Sequence, residues 1–200
     1  MQIITKQYKV YEFNELSKEA KQKVIDDYYK HEQEYGNIFL EDDILNEMGC
    51  IDEYNIFEDV KLCYSLSYCQ GDGLSFESNI NLKNFLDNIY SKKLPQYKKN
   101  AMCEYIYNVG SKRNNGHYCY SSKNDIIFEK NYQDSIERKH LSKLWDDILE
   151  EITEHYLNIC NQLEKYGYSI LDYRMDFDEM QEHCEANEYN FFEDGNMANL

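Results

Sequence analysis

The sequence has few of the residues that build flexible linkers, since its 200 residues include one proline and eight glycines. No low-complexity stretch and no internal repeat divides the chain. It also has no apolar run that approaches the roughly 18 residues of a membrane helix. The N-terminal MQIITKQYKVYEF lacks the apolar core of a signal peptide. These absences predict a single domain, residues 1–200, that lies in the cytoplasm and contacts no membrane.

Basic residues are scarce relative to acidic ones. The chain carries 38 Asp and Glu against 21 Lys and Arg, a formal net charge of -17, and residues 140–200 hold 15 of the acidic residues but only three basic ones. Such a surface repels nucleic acid and anionic membranes and attracts a basic partner. The composition therefore predicts no direct binding of nucleic acid. It leaves open whether the charge only keeps the protein soluble or also forms a partner-binding surface.

Paired cysteines with metal-ligand spacing are absent. The seven cysteines are an odd number, which together with the missing signal peptide predicts reduced thiols in a cytosolic protein. Cys63, Cys69, Cys103, His117 and Cys119 fall on predicted strands, but only His117 and Cys119 approach the short spacing of zinc ligands. We therefore predict no metal and no cofactor.

Motifs of known catalytic sites are missing as well. The chain has no phosphate loop, no dinucleotide fingerprint, no Gly-x-Ser-x-Gly elbow and no His-Glu-x-x-His. Ser75, Cys69 and His117 supply the residue types of a catalytic triad, but the sequence does not show that they meet. The sequence predicts a binding protein rather than an enzyme.

A regular alternation of apolar and polar residues marks the centre of the chain. Over residues 60–80, VKLCYSLSYCQGDGLSFESNI, apolar side chains recur at every second position in 60–68, and the alternation resumes in 74–80 with Leu74, Phe76 and Ile80, interrupted only by Ser78. This is the period of two half-buried strands. The Gln-Gly-Asp-Gly between them suits a turn, because the glycines tolerate positive φ and Asp72 can bond its own backbone. We predict an antiparallel hairpin closed by a tight turn.

Spacings of three and four residues predict helices on both sides of this hairpin. We expect a helix from Ser17 to Gly36, a second over 41–48 that Gly49 ends, and a third over 82–90 that Pro95 ends. The longest helix begins near residue 135 and is broken by Gly167. Its apolar positions are Leu141, Trp145, Ile148, Ile152, Tyr156, Ile159, Leu163 and Tyr166.

Further strands complete the predicted architecture. We expect strands over 9–13, 103–109 and 126–128, and a second hairpin that turns at Asn115-Gly116. The fold class is α+β: a small antiparallel sheet built on hairpins, packed against a long C-terminal helix and several shorter helices. Residues 1–134 hold helices and sheet, and residues 135–200 form an acidic helical part.

Several segments resemble a family of small proteins of uncharacterised function encoded by bacteriophages and prophages. The resemblance rests on CQGDGLSF at residues 69–76, on GHY at residues 116–118 and on NEYNFFEDG at residues 187–195. The order and spacing of these segments carry the match over nearly the full chain, although GYSILDYRMDF departs from the family pattern. The resemblance implies a phage origin and supplies no activity.

A small acidic phage protein without catalytic motifs is expected to act by binding a host protein. We predict an inhibitor of host defence, of the anti-CRISPR or anti-restriction type, that binds a CRISPR effector or restriction nuclease through its basic surface in the host cytoplasm and mimics nucleic acid. The predicted partner-binding acidic face comprises Glu150, Glu151, Glu154, Asp172, Asp176, Asp178 and Glu179.

An alternative function belongs to the Gln-Gly-Asp-Gly turn. Two glycines allow a backbone to approach a ligand closely, and the neighbouring polar side chains can bond it. The alternative is a nucleotide-binding or nucleotide-cleaving protein, although a plain structural turn explains the same residues. The site residues of this alternative are Gln70, Gly71, Asp72, Gly73, Phe76 and His117.

Overall fold

The computed structural model describes residues 7–34, 38–113, 125–131, 139–174 and 176–198. These residues form six α-helices and a four-stranded antiparallel sheet, which is the predicted α+β class with the predicted long C-terminal helix. In chain order the elements are a 3-10 helix (Phe13–Glu15), α1 (Lys18–Glu34), α2 (Ile38–Ile51), β1 (Phe57–Ser65), β2 (Gly73–Ile80), α3 (Leu82–Asn88), α4 (Gln96–Tyr105), β3 (Ile106–Lys112), β4 (Asp125–Lys130), α5 (Lys139–Arg174) and α6 (Phe177–Ala186).

The chain packs into two compact units. The terminal unit comprises Met1–Leu40 and Ser169–Leu200, and the central unit comprises Glu41–Tyr168. The division falls inside α2 and inside α5. The single domain with an acidic part from residue 135 stays a prediction.

The sheet of the central unit has the strand order β1-β2-β3-β4. Strand β1 pairs antiparallel with β2, with Leu62 opposite Phe76 and Ser65 opposite Gly73, so the predicted hairpin is confirmed. The predicted turn forms at residues 69–72, where the N–H of Asp72 donates to the carbonyl of Cys69 at 3.2 Å. It does not join the strands directly, because β1 ends at Ser65 and residues 66–72 connect it to β2. The longer connection forms around the side chain of Asp72, as described below.

The other half of the sheet corrects one predicted strand. Residues 103–105 end α4 rather than beginning a strand, and β3 starts at Ile106. Strand β3 pairs with β4, with Lys112 opposite Asp125, which confirms the strand predicted over 126–128. The predicted Asn115-Gly116 turn lies outside the described residues.

Helix α5 packs its apolar stripe into the core of the central unit. Trp145, Ile148 and Ile152 are buried at the predicted helical spacing. The Trp145 ring lies 4.8 Å from that of Phe128 on β4. The predicted break at Gly167 is wrong, since the helix continues to Arg174.

Gly167 has a packing role instead. A Cβ at this position would lie 2.5 Å from Cδ1 of Leu66 and 3.4 Å from Cδ1 of Ile44. The missing side chain therefore makes room for neighbours that pack against the helix backbone.

The core of the terminal unit forms where the 3-10 helix, α1, α6 and the C-terminal segment meet. Tyr11 and Phe191 exchange backbone hydrogen bonds of 2.8 and 2.9 Å. Residues 9–13 thus supply one β-bridge and the start of a 3-10 helix, not the predicted strand. Ser17 accepts a bond from the N–H of Ala20, as predicted for an N-cap. The buried cluster comprises Phe13, Leu16, Ala20, Val24, Ile25, Met180, Cys184 and Phe191.

Two predicted helix ends are wrong. Helix α2 passes Gly49 and reaches Ile51, and the N–H of Asp52 still donates to the carbonyl of Met48 at 2.9 Å. One glycine costs a helix only about 1 kcal/mol, which packing offsets. Pro95 does not end α3, which stops at Asn88, but is the N-cap of α4. Proline's missing N–H has no helical partner to lose at a helix start.

Within the described residues, no helix combines the length and the apolar character needed to cross a membrane.

Candidate functional site

The connection between β1 and β2 is built around one carboxylate. We call residues 66–72 the Asp72 loop. Oδ2 of Asp72 accepts bonds from the N–H of Ser67 at 2.6 Å, the N–H of Cys69 at 2.8 Å and the hydroxyl of Tyr168 at 3.0 Å. Oδ1 accepts a bond from the hydroxyl of Ser65 at 2.9 Å. Both oxygens are therefore engaged by the protein itself.

These bonds set the ionisation of the loop. Burial raises the pKa of Asp72, but the hydrogen bonds from Cys69, Ser65, Ser67 and Tyr168 outweigh it and hold the pKa below its usual value. Burial and the bond to Asp72 raise the pKa of the Tyr168 hydroxyl to about 12. At neutral pH the pair is thus a carboxylate and a neutral phenol, a stable acceptor and donor rather than an acid and base that exchange a proton.

The tip of the Asp72 loop points to solvent. Tyr68, Cys69 and Gln70 are exposed, and Gly71 has a φ of 112°, a conformation that favours glycine. The Tyr68 ring lies 4.9 Å from the ring of Tyr168. The exposed tip is held by the hydrogen bonds from Ser67 and Cys69 to Asp72 and by the ring contact between Tyr68 and Tyr168.

Phe76, another predicted residue of the turn site, does not join Asp72. Phe76 is 1% exposed, and its ring packs 4.5 Å from Tyr156 and 5.2 Å from Phe57, so it belongs to the core. His117 lies outside the described residues. Ser75, a predicted triad member, is buried and its hydroxyl donates to the carbonyl of Cys63 at 3.4 Å.

Tyr156 is a structural residue that the sequence analysis treated only as core. Its hydroxyl accepts a bond from the N–H of Phe76 at 2.9 Å and donates to the carbonyl of the same residue at 3.1 Å. Burial raises the pKa of this hydroxyl. Tyr156 therefore bonds both backbone groups of Phe76, and it shares the carbonyl with the hydroxyl of Ser111, which donates to the same oxygen at 3.2 Å.

The predicted acidic face on α5 divides into exposed and engaged carboxylates. Glu150 and Glu154 are exposed. Glu151 instead accepts bonds from the backbone N–H of Ser91 at 2.8 Å and from its hydroxyl at 2.6 Å. Glu151 therefore anchors the segment after α3, and its charge is committed within the protein.

The C-terminal members of the predicted acidic face lie in the terminal unit, whereas Glu150, Glu151 and Glu154 lie in the central unit. Asp176 caps α6 by accepting a bond from the N–H of Asp178 at 2.8 Å. Asp178 and Glu179 occupy the first turn, where the helix dipole favours negative charge. Asp172 is exposed near the end of α5. Several of these charges thus stabilise helix ends.

His155 on α5 lies in a partly buried region of the central unit, beside the start of β1. The ring of His155 stacks on Phe57 at 5.8 Å with an interplanar angle of 15°. Burial lowers the pKa of His155, and the nearby carboxylate of Asp52 raises it in part. Asp52 itself accepts backbone bonds from Ile56 and Phe57 at 2.9 and 2.8 Å. This arrangement turns the chain into β1.

Metal binding finds no support in the part of the chain that the structure describes. There, no group of three or more His, Cys, Asp and Glu side chains is placed to hold a metal ion. Cys63 is half-buried and Cys69 is exposed, while Cys119 lies outside the described residues.

Comparison with protein-family models, curated proteins and solved structures found no significant match to this chain.

Proposed function

We propose that the protein inhibits a host defence effector, of the CRISPR or restriction type, by binding it stoichiometrically. In this proposal an acidic surface of α5 occupies the basic surface on which the effector binds nucleic acid. The resemblance to bacteriophage proteins supports the class of target, and the net charge of -17 supports the sign of the contact.

A row of exposed carboxylates on α5 carries the proposal. Asp146, Glu150 and Glu154 are all exposed and four residues apart, so they lie along one side of the helix. At 1.5 Å per residue, neighbouring carboxylates are about 6 Å apart along the axis. One DNA strand carries a charge about every 3.4 Å along its axis. The row thus has about half the linear charge density of one strand.

The alternative of a nucleotide site at the Gln-Gly-Asp-Gly turn has weaker support. Both oxygens of Asp72 already accept hydrogen bonds from the protein. A negative nucleotide would also meet the negative charge of Asp72 at close range. The turn geometry accounts for this residue without a ligand.

The proposal is tested by reversing the row while sparing Glu151, whose change would disturb Ser91. The variant Glu150→Lys with Glu154→Lys is titrated into a DNA-binding assay of candidate effectors from the host. We expect the variant concentration that gives half-maximal inhibition of DNA binding to be about tenfold or more above that of the unchanged protein, because two attractive contacts become repulsive. Inhibition by the unchanged protein should weaken as salt rises, since the Debye length falls below about 8 Å above physiological ionic strength.

A matched variant separates local contacts from net charge. Asp42→Lys with Glu104→Lys changes the charge by the same amount at two exposed helical positions elsewhere in the central unit. We expect its inhibition to stay within about threefold of the unchanged protein. An equal loss of inhibition in both double variants would show that the row is not the contact surface. Inhibition that changes neither with salt nor with the Glu150 and Glu154 substitutions would show the same.

A further inference from the structure

The terminal unit contains a small antiparallel ladder whose middle strand is residues 190–192. On one side Tyr11 and Phe191 exchange both of their backbone hydrogen bonds, at 2.8 and 2.9 Å. On the other side Phe191 lies opposite Met197. The two hydrogen bonds that join these strands, both 2.8 Å long, are made by the residues before and after this pair. Residues 196–198 therefore form one edge of the ladder.

The backbone of Met197 points away from the middle strand. In an antiparallel pair whose neighbours carry the hydrogen bonds, the two opposed residues turn their own N–H and carbonyl outward. For Phe191 this direction leads to Tyr11, and for Met197 it leads to the outer side of the ladder. The N–H and the carbonyl of Met197 have no hydrogen-bond partner among the described residues. One donor and one acceptor at a strand edge can pair with a further extended chain.

A cavity of about 490 Å³ lies beside this edge, among α1, α6 and residues 195–197. The half-buried side chains of Tyr28 and Tyr189 line it. Its lining also includes four buried apolar side chains, those of Val24, Met180, Cys184 and Phe191. The volume lies in the range of ligand pockets, so the cavity has room for a large apolar side chain.

Contacts within the terminal unit hold this edge in place. The ammonium group of Lys23 on α1 donates to the carbonyl of Asp194 at 3.2 Å and to Oδ1 of Asn196 at 2.7 Å. Gly195 has a φ of 83°, and a Cβ there would lie 2.6 Å from the carbonyl oxygen of Ala20. The C-terminal segment is thus seated closely on α1, which preorganises both the edge and the cavity.

The direction of an added side chain follows from the pairing. Side chains of directly opposed residues lie on the same face of a ladder. Phe191 places its side chain in the buried cluster of the unit. Met197, opposite to it, lines the cavity and is 46% exposed. A residue that pairs with Met197 from the outer side therefore directs its side chain to this face, toward the cavity, and its two neighbours point away.

The lining favours an aromatic side chain on the added residue. Met180 and Met197 both line the cavity, and methionine sulfur makes favourable contacts with ring edges. Tyr28 and Tyr189 offer rings that another ring can meet edge to face or offset. An aromatic side chain also buries a large apolar area.

Charge selects the residues that flank the ring. The terminal unit contains 16 Asp and Glu against seven Lys and Arg, a net charge of -9. The exposed residues Asp27 and His31 also line the cavity. An acidic segment would meet an unfavourable field, whereas a segment with Lys or Arg would be attracted.

We propose that the terminal unit binds an extended segment of a partner protein, which adds a strand at Met197 and places one aromatic side chain, flanked by basic residues, in the cavity. The N–H and the carbonyl of the aromatic residue bond the carbonyl and the N–H of Met197. In this mode main-chain bonds give affinity and the pocket gives specificity. The proposal rests on the terminal unit alone and does not depend on the inhibitor function.

The test titrates the isotope-labelled full chain with the blocked peptide acetyl-Lys-Thr-Phe-Thr-Lys-amide and follows it by NMR. We expect saturable shifts of the Met197 amide signal and of the ring signals of Tyr28 and Tyr189, with a Kd on the order of 1 mM. Hydrogen exchange of the Met197 amide should slow as the peptide saturates it. Absence of saturable shifts at these signals would overturn the proposal.

Three altered peptides test the parts of the proposal separately. N-methylation of the phenylalanine keeps the ring but removes the N–H that would bond the carbonyl of Met197. Alanine in place of phenylalanine removes the ring, and glutamate in place of both lysines reverses the charge. We expect each change to weaken binding about tenfold. Equal binding of the N-methylated peptide would mean that the ring binds without strand addition and would overturn the proposal, as would equal binding of either other peptide.

A pair of variants tests the edge from the protein side. Met197→Pro removes the N–H of the edge residue, whereas Met197→Ala also loses the methionine side chain but keeps the N–H. We expect the proline variant to bind the peptide about tenfold more weakly than the alanine variant. Equal binding by the two folded variants would refute the pairing. If the proline variant does not fold, the N-methylated peptide on the unaltered chain decides the matter.

A second copy of the chain is the competing occupant of the edge. Sedimentation of the unaltered chain without peptide should show a monomer at the concentration of the NMR experiment. A dimer that the peptide dissociates would assign the edge to pairing between copies and would overturn the proposal of a partner segment.

Discussion

Replacing Asp72 separates its charge from its hydrogen bonds. In Asp72→Asn the amide oxygen can take the place of Oδ2 and keep the bonds from Ser67, Cys69 and Tyr168. The amide nitrogen then faces the hydroxyl of Ser65, which can accept as well as donate. The asparagine variant therefore loses the charge but no hydrogen bond. Asp72→Ala loses all four bonds.

The two variants should differ clearly in stability. A bond to a partly exposed carboxylate contributes about 0.5 to 1 kcal/mol once water competes for the donors. Asp72→Ala should therefore lower the free energy of unfolding by about 2 to 4 kcal/mol, and Asp72→Asn by about 0.5 to 1 kcal/mol. Urea denaturation followed by tryptophan fluorescence measures this, because Trp145 is the one tryptophan of the chain and is buried in the central unit.

The charge also predicts a pH dependence. Because folding lowers the pKa of Asp72, its charge adds stability above the unfolded-state pKa of about 3.9, and this contribution is lost as the pH falls through the lower folded-state pKa. The stability difference between the unchanged protein and Asp72→Asn should be largest at neutral pH and shrink below about pH 4. Comparing the two proteins cancels the titration of the other carboxylates.

Three results would refute this account of the Asp72 loop. Equal losses in the asparagine and alanine variants would mean that the bonds do not exchange as the geometry allows. An alanine variant as stable as the unchanged protein would mean that water replaces every bond without cost. Gln70→Ala is the control: Gln70 is exposed in the same loop, so its loss should stay within about 0.5 kcal/mol, and a larger one would contradict the account.

Two further substitutions test the packing of each unit. Tyr156→Phe removes the hydroxyl that bonds the buried N–H of Phe76, while the carbonyl keeps its bond from Ser111, and it should cost about 1 to 3 kcal/mol by urea denaturation. Tyr97→Phe, at a side chain 69% exposed, should cost almost nothing, and equal effects would contradict the bridging role of the Tyr156 hydroxyl. Gly195→Ala should cost about 2 kcal/mol or more in thermal unfolding followed by circular dichroism, because of its positive φ and its contact with the α1 backbone. Gly49→Ala is the control: it lies in a helix with open space around it, and its free energy of unfolding should rise by about 1 kcal/mol. A Gly195→Ala protein as stable as the parent would show that the close contact with Ala20 relaxes without cost.

Local periodicity predicted the elements whose signal lies in neighbouring residues. The alternation in residues 60–80 predicted β1 and β2, and the helical spacing from Leu141 onward predicted α5. The prediction that a single glycine or proline ends a helix was wrong where packing determines the structure. Gly167 lies within a helix because its neighbours need the space, and Pro95 begins a helix rather than ending one. A sequence alone does not show which of these uses a glycine or proline serves.

The sites depend on contacts between distant parts of the chain. Tyr168 and Asp72 are 96 residues apart, and Tyr156 bonds Phe76 across 80 residues. The contact between Tyr168 and Asp72 was not predicted, because the expected helix break at Gly167 would have separated Tyr168 from the rest of α5. Glu151 looked equivalent to Glu150 in composition, and only its contact with Ser91, 60 residues away, distinguishes them.

Two of the segments singled out in the sequence, residues 69–76 and 187–195, take structural roles in the units that contain them. In the central unit Asp72 organises the loop between β1 and β2, and in the terminal unit Phe191 and Gly195 seat the C-terminal segment on its neighbours. A structural role for these segments does not by itself locate a binding site. Stability and binding separate the two roles: Asp72→Ala should weaken inhibition only as far as it unfolds the protein, whereas reversing Glu150 should weaken it in a folded one. The exposed row of carboxylates on α5, rather than the Asp72 loop, is therefore the surface whose substitution tests the inhibitor proposal.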